Sequence, residues 1–189
     1  MERTRKYTYG DYVTWPEGER VELIDGQVFA MSPAPSRIHQ KVLGAFHSRF
    51  EAQLRGKTCE VYIAPFDVRL PKGDEADEEI DTVVQPDMTV VCDPNKLDDR
   101  GVRGAPDLVV EVVSPSTMKM DLVRKKSLYE RHGVRQYWIV YPAEKAVMVY
   151  RLGEGGVYGE FEACQQGDLL PVGIDGDFSI WRGVFGAKE

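Results

Sequence analysis

The sequence predicts a mixed α/β domain, a central sheet with helices packed on it, and two observations carry that expectation. Short runs rich in valine, isoleucine, tyrosine and phenylalanine recur along the chain, bounded by Gly, Pro, Asn or Asp, which is the punctuation of strands. Two other stretches repeat apolar residues at helical spacing: Ile38, Val42, Leu43, Phe46 and Phe50 in the first, Met118, Leu122 and Tyr129 in the second. Both periods in one chain call for a sheet and helices covering it. With 189 residues and 42% hydrophobic content, the chain suits a single domain over residues 1–189 with a substantial core.

In chain order, residues Tyr7 to Trp15 suit a short helix. Arg20 to Met31 reads as an N-terminal β-hairpin turning at Asp25-Gly26, a dipeptide that tolerates the positive φ of a tight turn. Ser36 is placed to cap a helix running to about Leu54. Strands are expected at Cys59 to Ala64, Phe66 to Leu70 and Thr82 to Cys92. The acidic stretch Gly73 to Asp81, GDEADEEID, reads as a solvated loop, because it lacks the alternating ligand-and-glycine spacing of an EF-hand. Glycine 104 to Val113 contains a strand of buried type, and Ser114-Pro115-Ser116-Thr117 turns the chain into a helix from about Lys119 to His132, closed by Gly133. Gln136 to Val140 and Ala146 to Leu152 are further strands, and the glycine-rich remainder from Gly153 carries only short β-like runs.

No run approaches the roughly 18 to 20 apolar residues of a membrane span. The start MERTRKYTYGDY lacks the apolar centre of a signal peptide, so the cytoplasm is the expected location, without a membrane partner. Cys59, Cys92 and Cys164 lie far apart with no CxxC spacing, which suggests reduced, structural thiols. A net charge of −7 argues against a protein that coats nucleic acid through overall electrostatics. It does not exclude a nucleic-acid enzyme, whose metal-binding carboxylates are themselves acidic.

Chemistry concentrates on two carboxylates set in apolar strands, Asp87 and, 24 positions later, Glu111. An unpaired buried charge is penalised by several kcal/mol. A hard divalent cation such as Mg²⁺, typically held by one or two carboxylates with water and phosphate, would offset it. Asp107 shares strand parity with Glu111 and could assist it, or could simply sit exposed at the strand end. In the basic run of the second helix, the helical wheel turns Lys125 toward the apolar stripe, with Arg124 and Lys126 to either side. Periodicity alone leaves two roles for Lys125: a stem covering apolar surface, or an ammonium reaching a substrate phosphate.

The ordered pieces Glu22-Leu-Ile-Asp-Gly26, Met31 to Ser36 with His39-Gln40, Ala64 to Leu70, Gln85-Pro-Asp87, Gly104 to Thr117, Tyr129, Gly133-Val134 and Tyr137 to Val140 resemble the Uma2 family, also called DUF820, within the PD-(D/E)XK nucleases. The resemblance spans about residues 8 to 150. It implies a restriction-endonuclease-like core, a central mixed β-sheet flanked by helices with the site at one end of the core strands. It also implies a Mg²⁺- or Mn²⁺-dependent endonuclease acting on DNA, with Asp87 and Glu111 as metal ligands and many relatives cutting as homodimers. The superfamily lysine falls at position 113, where this chain has Val113, and the resemblance moves its role to Lys125. Glu22 would be a further ligand or base, or else an exposed charge on the hairpin. His39 and Gln85 take supporting positions, His39 in polar packing or substrate positioning rather than metal binding. Gln136 and Tyr141 stand where the family often has acidic residues. The competing reading is a nuclease fold that binds or regulates without turnover, favoured by Val113. A carboxylate-pair glycosidase lacks a sugar-binding aromatic pattern.

Overall fold

A computed structural model describes residues 5–16, 18–31, 34–115, 117–168, 172–174 and 184–185. Residues 1–4 of the charged start, Ser32 and Pro33 of the Met31–Ser36 piece, Ser116 of the turn and most of the stretch past residue 168 lie outside the described residues. The elements are α1 (Tyr9–Tyr12), β1 (Val21–Ile24), β2 (Gln27–Ala30), α2 (Arg37–Leu54), β3 (Glu60–Ile63), β4 (Val68–Arg69), β5 (Val83–Val84), β6 (Met88–Val91), β7 (Leu97–Asp98), β8 (Gly101–Arg103) and β9 (Leu108–Val112). A π-helical segment, Met120–Lys125, then runs into α3 (Lys126–Arg131), followed by β10 (Gln136–Tyr141), β11 (Ala146–Arg151) and β12 (Glu162–Gln165).

The expected central sheet is present, in the order β12-β11-β10-β9-β6-β3, and it is mixed because β9 and β10 run parallel. Valine-rich β9 is buried along its whole length, as befits an interior strand covered on both faces. Alternation sorts its side chains. Leu108, Val110 and Val112 join Trp138, Phe46 and Phe50 under α2, while Val109 joins Tyr137, Ile139, Leu128 and Tyr129 on the opposite face. Helix α2 starts where Ser36 accepts the His39 backbone N–H at 3.3 Å, and it buries Val42, Leu43, Phe46, Phe50 and Leu54.

The opposite face is covered by α3 and by a second sheet of short strands, β2-β1-β5-β4-β8-β7, which the sequence reading did not separate from the first. The stretch from Thr82 to Cys92, expected as one strand, splits into β5 in the second sheet and β6 in the first. Proline 86 sits at the break, where its missing N–H would interrupt a ladder. The hairpin forms as expected: Asp25 and Gly26 both take positive φ, 51° and 78°, the two-residue turn that matches strand twist. Gly133, at φ 82°, ends α3 with its N–H on the Glu130 carbonyl and the Val134 N–H on the Tyr129 carbonyl, a Schellman closure.

Three expectations need correction. The acidic stretch Gly73–Asp81 is not solvent-facing throughout, since Asp77 pairs with the fully buried Arg69 and with Arg103 at 2.8 Å, while Asp98 takes Arg69 through both oxygens at 2.6 and 2.7 Å. Ile38 and Met118, expected on apolar helix faces, are 45% and 37% exposed. Cys59 and Cys92 form a disulfide rather than two thiols, leaving Cys164 free and buried. Antiparallel register explains the pairing: Glu60 lies opposite Val91, so the next residues outward face each other. Thiol titration of the unfolded, unreduced protein is therefore expected to find Cys164 alone, and all three cysteines after reduction. Three reactive thiols without reductant would mean the pair is open. With the bridged positions 33 apart in sequence, reduction is expected to cost about 3–4 kcal/mol of stability in chemical denaturation.

Candidate active site

The break at Pro86 sets where Asp87 stands. Met88 is opposite Val110, so Asp87, one residue earlier, comes opposite Glu111 across the β6–β9 pair. Opposed residues in an antiparallel ladder point to the same face, here the face toward α3 and the second sheet. Asp87 Oδ2 accepts the Val112 backbone N–H at 2.7 Å and faces His39 Nε2 at 3.1 Å. Glu22 reaches the same place from β1, where the backbone N–H of Gln85 donates to its Oε1 at 3.0 Å.

Lys125 arrives from the π segment. The Lys126 N–H reaches back to the Asp121 carbonyl, the i to i+5 bond of a widened turn, and the Tyr137 hydroxyl donates to that same carbonyl at 3.1 Å. Widening the helix carries Asp121 and Lys125 inward together, both buried. Lys125 Nζ donates to Glu22 Oε1 at 2.8 Å and Glu111 Oε1 at 2.9 Å, with Asp121 Oδ1 4.0 Å away. The Tyr129 hydroxyl, one turn on in α3, donates to Glu111 Oε1 at 3.0 Å.

Three carboxylates thus surround one ammonium. Burial by itself would lower the Lys125 pKa, but the charges of Glu111, Glu22 and Asp121 outweigh it and hold the amine firmly protonated. Burial lifts Glu111 well above the usual carboxylate range; Lys125 opposes this, and Asp121, Asp87 and Glu22 add to it. Asp121 rises to about 6, again chiefly through burial. Tyr129 is pushed up by burial and by Glu111, so its hydroxyl stays a donor.

The hydrogen bonds divide each carboxylate. Protein donors claim Oδ2 of Asp87, Oε1 of Glu22 and Oε1 of Glu111, and among the described residues no hydrogen bond engages the second oxygen of any of the three. Surplus negative charge on hard oxygen donors suits Mg²⁺ or Mn²⁺. Among the described residues no three His, Cys, Asp or Glu side chains converge as a ready-made cage. An ion here would rest on one or two carboxylates with water and substrate, the usual arrangement for Mg²⁺. These groups form the floor of a cavity of about 610 Å³ whose walls include Phe29, Met31, Ile38, Met118, Met120 and Tyr141. The two exposed apolar residues of the helix faces are therefore walls of this cavity.

The sequence model of the Uma2 family, described as "Putative restriction endonuclease", matches residues 9–180. This chain belongs to the Uma2 family. An uncharacterized protein from Synechocystis sp. is 27% identical over 180 residues, 92% of this chain and 90% of that one. The crystal structure of a "putative nuclease belonging to DUF820" from Anabaena variabilis superposes with a TM-score of 0.70 at 20% identity, covering 92% of this chain and 94% of the other. That likeness establishes that this Uma2 chain shares the mixed α/β fold of that structure.

Of the residues singled out from sequence, the structure brings Glu22, Asp87, Glu111, Lys125 and His39 together in this Uma2 site. Glu22 is buried rather than exposed on the hairpin. Gln85 contributes its backbone N–H, while its side-chain amide donates to Asp67 at 2.8 Å and to the Tyr12 hydroxyl at 3.1 Å, away from the carboxylates. Asp107 does not join them. Four residues from Glu111 along an extended strand, it lies about 13 Å away and holds the Cys92 backbone N–H at 2.8 Å and Arg135 at 3.1 Å. Val113 is buried on the Glu111 face of the strand's continuation, and the Lys125 ammonium enters that region from the helix. Sequence reasoning missed Asp121 and Tyr129 as site groups. Their spacing about Lys125, four residues to either side, is the signal that could have found them.

Two stability measurements follow from this charge balance. Lys125→Met strands Glu22 and Glu111 without a counter-charge and is expected to cost about 3–5 kcal/mol at neutral pH, partly recovered toward pH 4 as the carboxylates take protons. Because the folded Asp121 binds its proton more tightly than the unfolded chain does, it contributes stability at low pH that is lost as pH rises from about 4 through about 6. In chelator-containing buffer, the melting temperature of Asp121→Asn should therefore decline less than the wild type across that interval. Parallel curves would remove Asp121 from the pH response.

Proposed function

We propose that this protein is a metal-dependent endonuclease that hydrolyses phosphodiester bonds in DNA, acting in the cytoplasm and as a homodimer. The observation that carries the reading is the pairing of Asp87 with Glu111 across β6 and β9, each with one oxygen tied down and one left over. Asp87 and Glu111 would hold Mg²⁺ or Mn²⁺. Such an ion, when bound, supplies a Lewis acid that lowers the pKa of water and polarises the phosphoryl group.

The chain's own groups prepare that chemistry. His39 and the Val112 N–H fix the Asp87 carboxylate. Tyr129 and Lys125 together orient Glu111 through its Oε1, aiming the other oxygen elsewhere. Lys125 places a permanent positive charge beside the carboxylates, where it can position the attacking water and offset charge growing on the phosphoryl oxygens. Being pre-set by two ion pairs, it needs no reorganisation as that charge develops.

A second reading has one observation in its favour. The Lys125 ammonium is bound to two carboxylates at 2.8 and 2.9 Å, and position 113 offers no second lysine, which would suit a nuclease fold retired to binding or regulation. Calorimetric titration separates the two, since a retired site takes up no Mn²⁺ at these carboxylates. Incubation of plasmid DNA and of its single-stranded circle with Mn²⁺ is expected to give cleavage of at least one form that Asp87→Ala and Glu111→Ala abolish, with Lys125→Met reducing the rate by about a hundredfold or more. Cleavage that persists unchanged in both alanine variants would sink the assignment.

A further inference from the structure

The cavity over Asp87 and Glu111 is built unlike a groove for a double helix. Its floor carries Glu22, Asp87, Glu111 and Asp121, and the cationic side chains lining it are Arg20 and Lys125, with His39 set against Asp87. Lys125 is already committed to Glu22 and Glu111, and the whole chain has a net charge of −7. Duplex binding draws its affinity from cations neutralising phosphates on two strands. Among the described residues lining the cavity those partners are scarce.

What the cavity offers instead is apolar surface. Ile38 and Met118, 45% and 37% exposed, stand with Phe29, Met31, Met120 and Tyr141 around a space of about 610 Å³. That volume lies within the roughly 300–1,000 Å³ of sites that enclose a small ligand. Proteins that hold single strands use such surfaces, because every base has an apolar face to stack. A second hollow, of about 260 Å³, adjoins the first, and Gln85 lines both. Its walls include Phe66 and Arg100 together with the carboxylates of Asp99 and of Asp67, the latter accepting from the Gln85 amide and the Tyr12 hydroxyl, and the Phe66 ring is stacked on Tyr62 with centroids 4.2 Å apart and planes 9° from parallel. Ala64, just before this hollow, donates its N–H to the Asp87 carbonyl, so Phe66 sits two residues from the backbone beside the carboxylate.

We propose that the substrate of this site is a single unpaired DNA strand, one nucleotide seated in the apolar-walled cavity over Asp87 and Glu111 and its neighbour stacked at Phe66 beside Arg100. The inference rests on the nuclease reading above and names the substrate form that reading left open. The first turn of α2, with its Ser36 cap and no acidic side chain, adds its positive end to the cavity wall, where it favours the strand's phosphate.

The test compares a fluorescein-labelled oligodeoxynucleotide with its blunt duplex by anisotropy, in Ca²⁺ to limit cleavage. The single strand is expected to bind at least about tenfold more tightly, and Phe66→Ala and Tyr141→Ala are each expected to lose about tenfold in single-strand affinity with duplex affinity unmoved. Arg100→Gln probes the second hollow from an exposed position, independently of aromatic packing, and is expected to weaken single-strand binding in the same direction. Equal or tighter duplex binding, or no binding to either form, overturns the proposal. Cleavage assays in Mn²⁺ keep the two readings apart. Internal cutting of duplex with no preference for single strands overturns this inference and leaves the nuclease reading intact. Tight single-strand binding without cutting of any DNA overturns the hydrolysis reading and, with it, the strand's role as substrate, while supporting the cavity as a single-strand binding site.

Discussion

The ammonium of Lys125 is the point at which the separate parts of this molecule meet. Within 2.9 Å it binds Glu22 from the hairpin of the second sheet and Glu111 from the middle of the central sheet, while its own backbone belongs to the π segment leading into α3. A buried ion pair is costly to desolvate and stabilises only when its geometry is closely satisfied. Both carboxylates meet that condition through extra donors, the Gln85 N–H for Glu22 and the Tyr129 hydroxyl for Glu111. The arrangement ties two sheets and a helix at one place and holds several acidic groups close together, which apolar packing alone would not do.

That clustering has a structural origin in the backbone. Proline 86 divides one valine-rich run between two sheets, and the division delivers Gln85 to Glu22 and Asp87 to Glu111 within three residues. The π segment does the corresponding work on the helix. One widened turn lets Asp121 and Lys125 face inward together, and the hydroxyl of Tyr137 accompanies the Lys126 N–H on the Asp121 carbonyl. Irregular backbone is concentrated where charged groups must be aimed, while the regular strands supply the rigid frame. The buried Arg69 with Asp77 and Asp98 is a second such knot, far simpler, and it pins the acidic loop to the second sheet.

Much of this was legible in the chain. The continuous apolar runs around LVVEV and QYWIVY, helical spacing of Val42, Leu43, Phe46 and Phe50, the Asp25-Gly26 turn and the Gly133 stop all act over a few residues, and each formed where expected. Asp87 and Glu111 were conspicuous because charge in an apolar run is expensive, and that cost does not depend on the partner, while Lys125 was picked out of a basic run by its place on the helical wheel. The short strands β7 and β8 escaped notice, since two- and three-residue segments carry no period. Ile38 and Met118 misled because helical spacing cannot tell a core from the wall of a cavity.

The sequence by itself determined where the longer strands, the helices and the hairpin turn would fall, and which charges needed a reason to be buried, because those properties follow from local sterics and from transfer out of water. Only the tertiary structure decided who answers whom. The antiparallel register that joins Cys59 to Cys92, the assignment of Asp107 to Arg135 rather than to Glu111, and the convergence of Glu22 and Lys125, 103 positions apart, are long-range pairings. They emerge when strands distant in sequence pair and the two sheets close on each other, and no window along the chain contains both partners.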